Sequence, residues 1–193
     1  MSSAPGSYFV IDPGRTAGFA YCLVGGERIR HGTWRFKHED HGAAYAEFAT
    51  YLRRMLSGLD DPQVAMEMMT IVAHGDDGVI DPEQIAFSAG WQAIAKTVCH
   101  TMGLRPAMLI AIATWRSKTH GKMRVPETMK GAKQAEKSKW LKLQAKLYCD
   151  RNGWSYDTED EAEALCMLDA VRIMHEPSYA FDKGRSYQQE SFL

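Results

Sequence analysis

The sequence predicts an α/β fold: a meander of antiparallel strands followed by strands that alternate with helices. Three observations carry this expectation. Short apolar runs near the N-terminus are separated by glycine turns, apolar residues then recur at helical spacing, and two further apolar runs stand between helical segments. A chain of 193 residues, 45% hydrophobic and 24% charged, is enough for one domain with a substantial core.

The elements follow in order. Residues Met1 to Ser7 are small and polar and read as a disordered tail. Tyr8 to Asp12 reads as the first strand, Gly18 to Val24 as the second, and Arg28 to Phe36 as the third, with Gly25-Gly26 as a hairpin turn. Ala43 to Leu56 shows helical spacing through Tyr45, Phe48, Ala49, Leu52 and Leu56, and Gly58 closes it. His38 to His41, the run "HEDH", precedes that helix and reads as its cap. A fourth strand spans Gln63 to Met68. A loop with His74, Asp76 and Asp77 leads to a helix from about Pro82 to Met102, then to a strand from Ala107 to Ala113.

A basic segment comes next, with eleven Lys and Arg against three acids between Arg116 and Arg151, in a chain whose net charge is −1. It begins as a loop and continues as a helix from about Ala132 to Arg151, with Trp140, Leu143 and Leu147 as an apolar stripe between lysines. Such a stretch suits a polyanion, and it also suits a solvated helix face. The last helix runs from about Glu159 to Met174, and the tail after residue 175 lacks an apolar period. One domain over residues 8–175 with a flexible tail over 176–193 is the resulting organisation.

Other functions are disfavoured by composition. The four cysteines, Cys22, Cys99, Cys149 and Cys166, form no C-x-x-C pair, so neither a zinc knuckle nor a disulfide framework is signalled. No basic segment followed by an apolar one stands at the N-terminus, and no run approaches bilayer length, which gives the expectation of a cytoplasmic protein without a membrane partner.

The chemistry lies in the carboxylates. Asp12 ends the first strand and Glu67 stands near the end of the fourth, each after an apolar run. An unpaired buried acid is costly, so its position asks for a use. Thr158 stands three residues before Glu161 as a capping box, and five acids fall within seven residues from Asp157 to Glu163. Acids there complement the helix dipole, but five exceed that need and repel one another unless a cation holds them. Asp160 and Glu163 are three apart and share a helix face, about 60° apart around the axis. Asp169, about 240° around from Glu163, reads instead as a partner of Arg172. If the first and fourth strands are neighbours and the last helix packs across them, Asp12, Glu67, Asp160 and Glu163 converge. Oxygen ligands alone favour Mg²⁺ or Mn²⁺, and two such ions suit phosphodiester cleavage.

Four stretches in order, "VIDPGRTAGFAYCL", "AMEMM", "ATWRSKTHGK" and "DEAEALCMLDA", resemble the RuvC-type Holliday-junction resolvases of the RNase H-like superfamily, particularly the phage-encoded branch. The resemblance covers residues 8 to 175. It implies a five-stranded mixed sheet flanked by helices, with Asp12, Glu67, Asp160 and Glu163 as ligands of two Mg²⁺ or Mn²⁺ ions. It also implies a homodimer that cuts two strands of a four-way junction. On this reading Lys118 and Lys122 contact the scissile phosphate. Arg116, Arg124, Lys130, Lys133, Lys137 and Lys139 track the DNA backbone, and Met69 wedges against unstacked bases. Two features depart from the family: Glu163 stands where it usually has Asp, and the loop from Ala73 to Asp81 is longer. A non-catalytic branched-DNA-binding module of the same fold is the alternative. An ATP-binding, sugar-kinase-like protein is a weaker one, because no second glycine-rich phosphate loop is present.

Overall fold

The protein is described here by a computed structural model covering residues 4–68, 82–121 and 124–190. Its architecture follows from the alternation of side chains along the central strand, β1 (Ser7–Asp12). Phe9 and Ile11 point to one face and Tyr8 and Val10 to the other, and all four are buried. A strand buried on both faces needs helices on both sides.

β1 pairs antiparallel with β2 (Thr16–Leu23) and parallel with β4 (Pro62–Met68). β3 (Arg30–Arg35) closes one edge antiparallel to β2, and β5 (Met108–Ala111) closes the other parallel to β4. The result is a five-stranded mixed sheet of order β3-β2-β1-β4-β5. α1 (His41–Leu56) and α2 (Pro82–Thr101) cover the Phe9 face, burying Phe48, Leu52 and Trp91 against Ile11, Val64 and Met66. α4 (Gln134–Arg151) and α5 (Glu159–His175) belong to the opposite face, where Tyr148, Leu165 and Leu168 share a core with Val10, Ala20 and Ala65. α5 is the central helix: every residue from Glu161 to Arg172 is buried.

Several local expectations are corrected. β5 ends at Ala111 instead of Ala113, and the expected loop begins as a short helix, α3 (Ile112–Lys118), anchored by buried Trp115. In α4 the inward face is Ala145, Tyr148 and Cys149, while Leu143 and Leu147 are 45% and 43% exposed. Ala145 and Cys149 let α4 lie close to α5: Cys149 Sγ donates to the Ala162 carbonyl at 3.5 Å, and Cys166 Sγ to that of Ala145 at 3.6 Å.

Residues 177–190, expected as a tail without structure, form α6 (Pro177–Glu190). Polar contacts hold it where an apolar period is missing: Tyr179 donates to Asp169, and Lys183 Nζ lies 3.4 Å from the same carboxylate. Asp169 also accepts from Tyr148 at 2.5 Å. Arg172 therefore pairs with Glu176, at 2.9 Å, and not with Asp169. At the other end, Ser7 lies buried within β1 instead of in the N-terminal tail. Among the described residues no helix is long and apolar enough to cross a membrane.

Candidate active site

Asp12 is the last residue of β1, on the face that receives α5, and its cross-strand partner on β2 is Gly18. A Cβ on Gly18 would stand 2.0 Å from the carbonyl oxygen of Asp160, so only glycine lets the first turn of α5 lie on the sheet beside Asp12. Thr158 caps that turn by accepting from the Glu161 amide at 3.1 Å, and its hydroxyl meets Thr33 of β3 at 2.8 Å. The acids of the first turns are thereby divided. Glu161 faces β3, where its Oε1 is 2.5 Å from His31 Nδ1 and its Oε2 accepts from the Asp157 amide at 2.9 Å. Asp160 and Glu163 face Asp12.

One carboxylate oxygen from each of Asp12, Asp160 and Glu163 lies within 4.8 Å of the other two. Glu67, on the same sheet face in neighbouring β4, stands outside this triplet, and its Oε2 accepts from Trp115 Nε1 at 2.9 Å. Two cations enter from other elements. Arg116 of α3 donates Nη2 to Glu163 Oε1 at 2.9 Å, and Lys142 of α4 places Nζ 2.8 Å from Asp160 Oδ1 and 3.8 Å from Glu163 Oε2. Nε of Arg116 is buried with no partner among the described residues.

The electrostatics follow from this crowding. Burial, then the charges of Glu67, Glu163 and Asp160, holds Asp12 protonated well above the usual carboxylate range. Glu67 is pushed up to about 7, by burial first and Glu163 next, against the Trp115 hydrogen bond. Burial also raises Glu163, opposed by Arg116 and Lys142. For Lys142, burial disfavours the charged form, but the hydrogen bond to Asp160 and the nearby acids outweigh it and raise its pKa. A rigid cluster of oxygen donors that resist ionisation together is a fit for a hard divalent cation, which no thiolate or imidazole in the triplet would redirect to a softer metal.

The remaining sequence-derived residues are more dispersed. Lys118 lies exposed in the last turn of α3 and makes no ion pair with the acids among the described residues. Arg124, Lys130, Lys133 and Lys139 are exposed along the basic segment, Lys137 is half-buried, and Lys130 pairs with Glu127 at 3.6 Å. Arg116, read as a DNA contact, is turned inward to Glu163. Lys122, Met69 and the loop from Ala73 to Asp81 lie outside the described residues. In "HEDH", Asp40 caps α1 by accepting from the Ala43 amide at 2.7 Å. Lys142 was missed as a site residue. Lys142 and Lys146, one turn apart, both reach Glu159, at 3.9 and 3.8 Å, contacts set by the packing of α4 on α5.

Comparison of the fold with solved structures gives a match over nearly the whole chain. RuvC of Thermus thermophilus in complex with a Holliday junction substrate superposes with a TM-score of 0.58 at 12% identity, covering 88% of this chain and 96% of that one. The chain has a RuvC-type fold. A second structure of Thermus thermophilus RuvC agrees, with a TM-score of 0.51, 15% identity, and 86% and 94% of the two chains covered. No family model matches the chain, and no curated protein matches it in sequence. Within this RuvC-type fold, Asp12 ends the central strand and the Asp160–Glu163 pair opens the helix packed across it.

Proposed function

We propose that the protein is a metal-dependent endonuclease selective for branched DNA, with the four-way junction as its substrate. The observation that carries this reading is the convergence of Asp12, Asp160 and Glu163 within 4.8 Å, on a RuvC-type fold. Those three carboxylates, with Glu67 beside them, would hold two Mg²⁺ or Mn²⁺ ions. A pair of such ions supplies Lewis-acid activation of water and stabilisation of the leaving oxygen, giving 5′-phosphate and 3′-hydroxyl ends.

The chain's own residues do the rest. β1 and α5 fix the spacing of the carboxylates before substrate arrives. Trp115 donates to Glu67 Oε2 and so fixes that side chain beside the triplet. Lys118, Lys122 and Arg124, with Lys130, Lys133, Lys137 and Lys139, supply phosphate contacts that carry affinity without reading sequence. A homodimer places one site at each of the two equivalent scissile phosphates of a two-fold junction.

A second reading, a branched-DNA-binding protein without catalysis, draws on one observation: both oxygens of Glu163 already face cations, Arg116 and Lys142. One assay separates the two. Pure protein is incubated with labelled four-way junction, duplex and single strand, with and without Mg²⁺. The nuclease reading expects paired nicks in the junction only with the ion, whereas junction binding with intact strands under Mg²⁺ and Mn²⁺ supports the second reading.

A further inference from the structure

The sheet face opposite the acids carries a surface that the proposed reaction does not use. On that face Tyr21 pairs with Arg30, Phe19 with Gly32, and Ala17 with Trp34. A Cβ on Gly32 would stand 2.8 Å from Phe19 Cζ, so the Phe19 ring lies across the strand there. It stacks on Trp34 with ring centroids 4.7 Å apart, and Tyr51 of α1 stands 6.0 Å beyond Trp34. Large rings opposite small residues thus make a continuous aromatic floor at the β3 edge, and Phe19, Tyr21, Trp34 and Tyr51 are all only half-buried.

Two grooves open on this floor and meet at Met55. One, of about 420 Å³, lies between Trp34, Tyr51, Arg35 and Arg54; the other, of about 370 Å³, lies between Phe19, Tyr21, Arg28 and Arg30. No carboxylate lines either groove. The four arginines are exposed, and none is in an ion pair among the described residues, whereas Arg105, Arg116 and Arg172 each hold an acid.

The choice of cation is informative. These positions carry arginine, while α4 carries Lys137, Lys139, Lys142 and Lys146. A planar guanidinium stacks on bases and forks onto phosphate oxygens, which an ammonium does not do. Charges on a sheet edge also discourage strand pairing between molecules. That purpose needs charges on β3 alone and explains neither Arg54, which comes from α1, nor the half-buried rings between the arginines.

From this arrangement we infer that the β3–α1 groove binds an unpaired segment of a DNA strand, with bases stacked on Phe19, Tyr21 and Trp34 and phosphates held by Arg28, Arg30, Arg35 and Arg54. Duplex is excluded from the floor because its bases face inward. The site runs along the β3 edge of the sheet, whereas the acid cluster lies between β1 and α5, and it extends the protein's DNA contacts beyond the segment around α4.

The test is fluorescence anisotropy with a labelled oligothymidylate and an abasic oligomer of equal length, in chelator and without any junction. Wild type is compared with Arg30→Gln/Arg54→Gln, and circular dichroism verifies folding. The groove predicts that wild type prefers the oligothymidylate to the abasic strand. It also predicts that the arginine variant loses about tenfold in affinity for the oligothymidylate. Arg30→Lys/Arg54→Lys, which retains the charge, should recover only part of the loss. Equal binding of the abasic strand, or unchanged affinity in the arginine variant, overturns the inference. Since the assay contains no divalent ion, its failure leaves the cleavage reading standing, and failed cleavage leaves the groove standing.

Discussion

Nζ of Lys142 on α4 lies 2.8 Å from Oδ1 of Asp160 on α5, and the same ammonium stands 3.8 Å from Oε2 of Glu163. It enters a cluster where burial and like charges resist ionisation, so it supplies part of the positive charge the acids need. Removing one partner from a part-buried ion pair leaves the other uncompensated. Lys142→Met should therefore lower the melting temperature in chelator by several degrees, on the order of a 1–2 kcal/mol loss. With the competing ammonium gone, added Mg²⁺ should raise the melting temperature of the variant more than that of wild type. Differential scanning fluorimetry measures both, and an equal or smaller Mg²⁺ response in the variant contradicts the competition.

Gly18 sets how near the first turn of α5 can come to Asp12. With a Cβ 2.0 Å from the Asp160 carbonyl oxygen, Gly18→Ala must push backbone against backbone. The expected cost is about 2–4 kcal/mol in urea unfolding, together with loss of cleavage. A variant as stable as wild type contradicts the close approach.

Sequence reasoning reached these residues unevenly, for physical reasons. Asp12 and Glu67 were legible because a buried strand advertises itself by its apolar run, and an acid at its end stands out. The start of α5 was legible because capping is local: Thr158 and Glu161 are three residues apart. Arg116 and Lys142 were not read as partners of the acids, because their role depends on how α3 and α4 pack against α5. For the same reason the face of α4 was misjudged: Trp140, Leu143 and Leu147 are the larger residues, but close approach to α5 selects Ala145 and Cys149. Asp169 was assigned a neighbour in its own helix, yet its partners are Tyr148, from α4, and Tyr179 and Lys183, from a helix that carries no apolar period.

The raised pKa of Glu67 gives a pH dependence with a definite sign. Its value rises from 4.5 to about 7 on folding, so the folded protein binds the proton more tightly than the unfolded chain does. The stabilisation is complete below the unfolded value, is lost as pH rises through about 7, and amounts to about 3 kcal/mol over that window. Unfolding in chelator at pH 5 and pH 8 should show a larger loss for wild type than for Glu67→Gln, which carries no titrating group there. Parallel curves contradict the shift.

The central claim is that Asp12 belongs to a catalytic cluster, and the most direct measurement pairs junction binding with junction cleavage for wild type and Asp12→Asn. The substitution keeps the side chain's shape and removes one charge from the triplet with Asp160 and Glu163. Phosphate affinity is assigned to the lysines and arginines, so a gel shift should show binding equal to or tighter than wild type. Strand cutting in Mg²⁺ should vanish on the same labelled junction. Cleavage that persists in Asp12→Asn would contradict the account.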